Sequence, residues 1–89
     1  MNNLQFIATY IDKNPGAKYS EIIRNLMLWK GFSAFEIVRI GGQYSRYFTQ
    51  YPSNGPSYNP MLWKKTNPNN KKSGYKLTPI GKTYIVKGA

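Results

Sequence analysis

The chain has 89 residues, 40% of them hydrophobic, and sets 13 Lys and Arg against 3 Asp and Glu for a formal charge of +10; that is enough for one modest core and too little for several domains. It has no cysteine and no histidine, which excludes disulfide staples and thiolate zinc sites and removes the commonest general base, metal ligand and activated thiol. No apolar run approaches the roughly 18 residues of a membrane span, and MNNLQFIATYIDK lacks the basic start and long apolar stretch of a signal peptide, so a cytoplasmic location is expected.

Leu4, Ile7, Ala8 and Ile11 recur at helical spacing, flanked by Phe6 and Tyr10. They predict a first amphipathic helix from Asn3 to Lys13, ended by Asn14-Pro15-Gly16. A second helix is expected to start at Ser20 as N-cap, with Glu21 in its positive first turn, and to bury Ile22, Ile23, Leu26 and Met27. Gly31 closes it and Ser33 caps the next.

Residues 33–51, wound at about 100° per residue, place Ile37, Ile40, Tyr44, Tyr47, Phe48 and Tyr51 on one face. Opposite them Arg39, Gln43, Arg46 and Gln50 form a polar stripe. Gly41-Gly42 costs about 1 kcal/mol per glycine relative to alanine, so a break or bend is expected there, after which Gln43, Arg46 and Gln50 still share a face. Residues 51–60, YPSNGPSYNP, read as a loop. Then the period changes: MLWKKT (61–66) and Tyr75–Leu77 read as strands around an exposed basic turn, NPNNKKSG (67–74), giving a β-hairpin. Thr78-Pro79 reads as an N-cap followed by proline at the first helical position. In that short closing helix Ile80, Tyr84 and Ile85 are expected to pack inward, with 86–89 frayed. Trp29 and Trp63 are expected in the core or at its edge, and Tyr58 is the better candidate for an exposed aromatic contact.

Charge follows the same division. All three acids, Asp12, Glu21 and Glu36, lie in the first 36 residues beside four basic ones, whereas nine basic residues and no acid follow from Ile37 onward. A surface that neutralises phosphates and releases their counterions needs such asymmetry.

Three helices, a basic hairpin and a short closing helix, with Gly74-Tyr75-Lys76-Leu77-Thr78-Pro79-Ile80-Gly81-Lys82 at the hairpin exit, resemble the winged helix-turn-helix domains of transcriptional regulators. The local motif is similar to the Y-x-L-T-x-x-G wing exit, with Tyr75, Leu77, Thr78 and Gly81 at its positions. The resemblance implies a single α+β domain over 1–89. Tyr75 and Leu77 would then belong to the last wing strand, Thr78 would cap the following helix, and Gly81 would let that helix pack closely. It also implies that the third helix enters the major groove of double-stranded DNA while the wing touches the backbone or minor groove. The first helix often mediates pairing in this family, so a monomer or a homodimer is compatible with it. Gly41-Gly42 inside the third helix and the long loop before the wing depart from the pattern.

Arginine can pair bidentately with guanine and glutamine with adenine, which makes Arg39, Gln43, Arg46 and Gln50 the base-reading candidates. Their plainer reading is the solvated face of an amphipathic helix. Lys64, Lys65, Asn69, Asn70, Lys71, Lys72 and Ser73 offer ammonium, amide and hydroxyl donors to phosphate oxygens; their plainer reading is protection of a strand edge. Tyr44, Tyr47, Phe48 and Tyr51 are assigned to the core ahead of base stacking. The three acids sit on three different predicted elements, so no paired-carboxylate site, no metal and no cofactor is expected, and the chain is read as a non-enzyme. Duplex DNA is the expected partner. An acidic protein held by the same basic surface is the alternative, with RNA and an anionic membrane surface less favoured.

Overall fold

A computed structural model of the chain describes residues 1–48, 62–67, 69, 70 and 72–88, apart from the side chains of Ser45 and Arg46. Gln50, Lys71, Tyr51, Tyr58 and the loop expected over 51–60 lie outside the described residues. Among those described, the architecture is α+β: four α-helices, a 3-10 helix and one two-stranded antiparallel hairpin.

Helix α1 (Asn3–Lys13) has the predicted bounds. It opens on a reciprocal cap, in which the Asn2 side chain accepts the Gln5 N–H at 2.8 Å and the Gln5 side chain accepts the Asn2 N–H at 2.9 Å. Gly16, at φ +85°, takes the chain out of it. Helix α2 (Tyr19–Trp29) begins earlier than expected: Ser20 lies inside it, and the N-cap is Lys18, whose side chain makes no cap bond. The reason is tertiary. Ala17 is held from outside by backbone pairing with the hairpin, and this sets the direction in which the chain enters α2. The expected Ile22, Ile23, Leu26 and Met27 are buried, and Gly31 at φ +94° closes the helix.

Ser33 caps helix α3 (Ala34–Ile40) in a second capping box with Glu36. The helical path changes form at the glycine pair, where a break or bend is expected. Residues Gly41–Phe48 wind as a 3-10 helix, a tighter coil whose two glycines carry no side chains to crowd the transition. Ile37, Ile40, Tyr44 and Tyr47 lean on the core and Phe48 enters it, as expected.

The hairpin pairs β1 (Trp63–Lys65) with β2 (Tyr75–Leu77), Trp63 opposite Leu77, Lys64 opposite Lys76 and Lys65 opposite Tyr75. It is not left to hang on its turn. The Tyr75 N–H donates to the Ala17 carbonyl at 2.9 Å and the Gly16 N–H donates to the Tyr75 carbonyl at 3.1 Å, so the α1–α2 corner adds a short third rung. Phe48 joins the layers, its ring 4.9 Å from Tyr75, 5.0 Å from Tyr19 and 5.7 Å from Trp63. Trp63 is fully buried and its indole N–H donates to the Tyr47 carbonyl at 3.0 Å. Truncating so large a buried ring removes roughly 3–5 kcal/mol.

Helix α4 (Pro79–Lys82) starts as predicted, with Thr78 accepting the Gly81 N–H at 3.1 Å and proline in the first turn. Two expectations at the edges are corrected. Ile80 is 55% exposed, because the face of this one-turn helix that meets the hairpin is the Gly81 face. Val86 is not frayed: its N–H donates to the Thr9 hydroxyl at 3.0 Å, which satisfies a buried polar side chain of α1. Trp29 is a core-edge residue, 44% exposed and stacked on Phe6 at 4.9 Å.

Candidate nucleic-acid interface

Strand alternation sorts the hairpin's lysines. Trp63, Lys65, Tyr75 and Leu77 share one face, which turns toward the core, so Lys65 is half-buried across from Tyr75. Lys64 and Lys76 share the other face, both exposed and directly opposite each other. Lys64 and Lys65, grouped together in the sequence reading, are therefore on opposite sides. Lys76 was passed over there, although strand register alone would have paired it with Lys64.

Facing like charges destabilise an antiparallel pair. They persist here on a hairpin whose mounting is rigid. A Cβ on Gly74 would sit inside the Gly16 carbonyl group, and a Cβ on Gly81 inside the Leu62 carbonyl, so both glycines permit backbone approaches that no other residue allows. The Thr78 N–H also donates to the Leu62 carbonyl at 3.0 Å. Burial pushes the Tyr19 and Tyr75 phenols up from their ordinary value.

The tip holds itself in shape. Asn67 Oδ1 accepts the Asn69 N–H at 3.1 Å and Asn70 Oδ1 accepts the Lys72 N–H at 2.9 Å, the side-chain turns that favour asparagine in loops. The Ser73 hydroxyl donates its one hydrogen to the Asn67 carbonyl at 2.9 Å, so in this conformation Ser73 closes the turn instead of offering a donor outward. Asn69, Asn70 and Lys72 are exposed. Lys71 lies outside the described residues.

On the helical side, Arg39 is exposed at the end of α3 and Gln43 is exposed on the 3-10 helix. The Arg46 side chain and Gln50 lie outside the described residues, so the stripe is described only in its first half. Two side chains that sequence reading missed share the outward face of α3 with Arg39. Phe35 is 73% exposed and Val38 88% exposed. Their signal was present: the winding that puts Ile37 and Ile40 inward puts positions 35, 38 and 39 outward together.

The acids are largely committed elsewhere. Glu21 accepts the Tyr10 hydroxyl at 2.6 Å, and Glu36 folds back on Ser33, accepting its N–H at 3.2 Å and its O–H at 3.0 Å. Asp12 lines a shallow concavity of about 200 Å³ together with Lys76 and Lys82, placing one carboxylate near the base of the hairpin. Among the described residues, no three His, Cys, Asp or Glu gather where a metal ion could be held, and no helix is long and apolar enough to cross a membrane.

No family model, no curated protein and no solved structure matches the chain.

Proposed function

We propose that the chain is a winged helix-turn-helix protein that binds double-stranded DNA, as a small transcriptional regulator or accessory factor. On this reading α3 and the start of the 3-10 helix lie in the major groove with Arg39 and Gln43 toward base edges. The hairpin is the wing, and Lys64, Lys76 and Lys72 contact phosphates.

The observation that carries the proposal is the exposed Lys64–Lys76 pair on a hairpin anchored to the helical core through backbone bonds. Two lysines facing each other across the strand pair repel in the free protein, and a row of phosphates converts that repulsion into attraction while releasing condensed counterions. The fixed mounting favours binding further, since less freedom is lost on docking.

With six to eight phosphates neutralised, log affinity falls against log salt with a slope of roughly −5 to −7. The test is fluorescence anisotropy of a labelled 20-base-pair duplex at several salt concentrations, with wild type and Lys64→Ala/Lys76→Ala. The double variant should bind all duplexes more weakly and flatten the slope by about 2. Binding that ignores both salt and this change would overturn the proposal.

A further inference from the structure

The outward face of α3 presents an unusual combination for a helix in water. Phe35 and Val38 are the two most exposed large apolar side chains described in the chain, and Arg39 stands beside them. Solvent does not favour a phenyl ring and an isopropyl group there, and the core does not need them, because Ile37 and Ile40 on the opposite side of the helix make its inward contacts. The face therefore carries a cost that an occupant must offset.

We propose that Phe35 and Val38 recognise the 5-methyl groups of thymine in the major groove, with Arg39 supplying the adjacent polar contact. This rests on the duplex-binding reading above and goes beyond it by naming the bases selected. The major-groove edge of thymine differs from every other standard base in carrying a methyl group, and apolar side chains are the groups that read it. Charge favours this occupant: Arg39 completes the face, and the Glu36 carboxylate on the same helix is folded back on the Ser33 cap. A second copy of the chain is a poorer fit. Pairing through this face would bring two Arg39 guanidinium groups together, and two side chains fall far short of the roughly 800 Å² per partner that a stable interface buries.

The experiment leaves the protein unchanged and alters the DNA. Wild-type protein is titrated into a mixed-sequence, A·T-rich 20-base-pair duplex and into the same duplex with every thymine replaced by deoxyuridine, which lacks only the methyl. Each contacted methyl contributes roughly fourfold in affinity, the transfer free energy of one methyl-sized group, so two contacts predict a loss of about 15-fold on uracil. Phe35→Ala/Val38→Ala should bind both duplexes alike, at the level of wild type on uracil. Both positions are exposed, so the variant should fold, and circular dichroism checks that it does.

Equal wild-type affinity for the thymine and uracil duplexes, with salt-dependent binding intact, would overturn the methyl proposal and leave DNA binding standing. No salt-dependent binding to either duplex would remove the reading beneath it as well. A drop in sedimenting mass caused by the double variant, without any methyl dependence, would assign the face to self-association and overturn the proposal.

Discussion

The Tyr10 hydroxyl donates to a Glu21 carboxylate oxygen at 2.6 Å and accepts from the Asn25 side chain at 3.1 Å, joining α1 to α2 through one phenol. The bond to Glu21, helped by desolvation and by the carboxylate's charge, raises the phenol from 10.0 to about 12. The phenol keeps its proton and donates it to Glu21 at the helix crossing, so the carboxylate in α2's first turn is held in a local bond.

The pH dependence follows from that shift. Folding favours the neutral phenol, so the contribution is fully present below about pH 10 and is lost as pH rises toward about 12. Tyr10→Phe should cost about 1 kcal/mol or less at neutral pH, since solvent screens the bond. The gap between wild type and variant should stay constant from pH 7 to pH 9.5 and shrink above it. Urea denaturation at a series of alkaline pH values measures this.

Gly81→Ala should reverse the usual helix rule. Alanine ordinarily gains about 1 kcal/mol over glycine inside a helix, but the added methyl meets the Leu62 carbonyl. A net loss of roughly 2 kcal/mol or more is expected, from a backbone that must shift at both the hairpin and α4. Gly74→Ala should behave alike through the Gly16 carbonyl. Thermal denaturation followed by circular dichroism distinguishes a loss from the small gain that an open site would show.

Lys64→Glu should move stability and binding in opposite directions. It replaces a facing like-charge pair by an opposite-charge pair, which should stabilise the hairpin by about 0.2–1 kcal/mol. It should also weaken duplex binding, because a carboxylate now stands where a phosphate contact is proposed. Parallel melting and anisotropy measurements check both signs on one sample, and a variant that binds DNA as tightly as wild type would contradict the wing assignment.

Thr9→Val keeps shape and removes the acceptor for the Val86 N–H. About 1 kcal/mol should be lost, together with hydrogen-exchange protection at Val86 and little change elsewhere. Amide exchange followed by nuclear magnetic resonance reads it residue by residue.

What the sequence disclosed was what local pattern controls. The bounds of α1, the buried set of α2, the Ser33 and Thr78 caps and the strand Tyr75–Leu77 all follow from periodicity or cap chemistry and were legible. The start of α2 was not, because Ala17 is positioned by a bond to Tyr75 some sixty residues later, and no window around Ser20 contains that partner. Ile80 misled for a similar reason: its spacing suits an inward face, but the contact that orients α4 is made by Gly81, a residue with no hydrophobicity to announce it. Within the candidate site, composition pointed to the hairpin's charge, whereas the division of Lys64 from Lys65 and the company of Lys76 needed strand register. Phe35 and Val38 escaped notice because apolar residues are read as core by default, although the winding that turns Ile37 and Ile40 inward already places them outward, where they are exposed.

The rung between Gly16–Ala17 and Tyr75 is made of main-chain amides and carbonyls, and the tight approaches nearby belong to glycines. Side chains at 64, 69, 70, 72, 73 and 76 take no part in it. On the proposed duplex-binding reading, mutation would therefore rewrite what the hairpin contacts, in sign, reach or bulk, while its aim stays fixed by the main chain. The mounting of the hairpin and the chemistry of its outer face are thus set by different atoms.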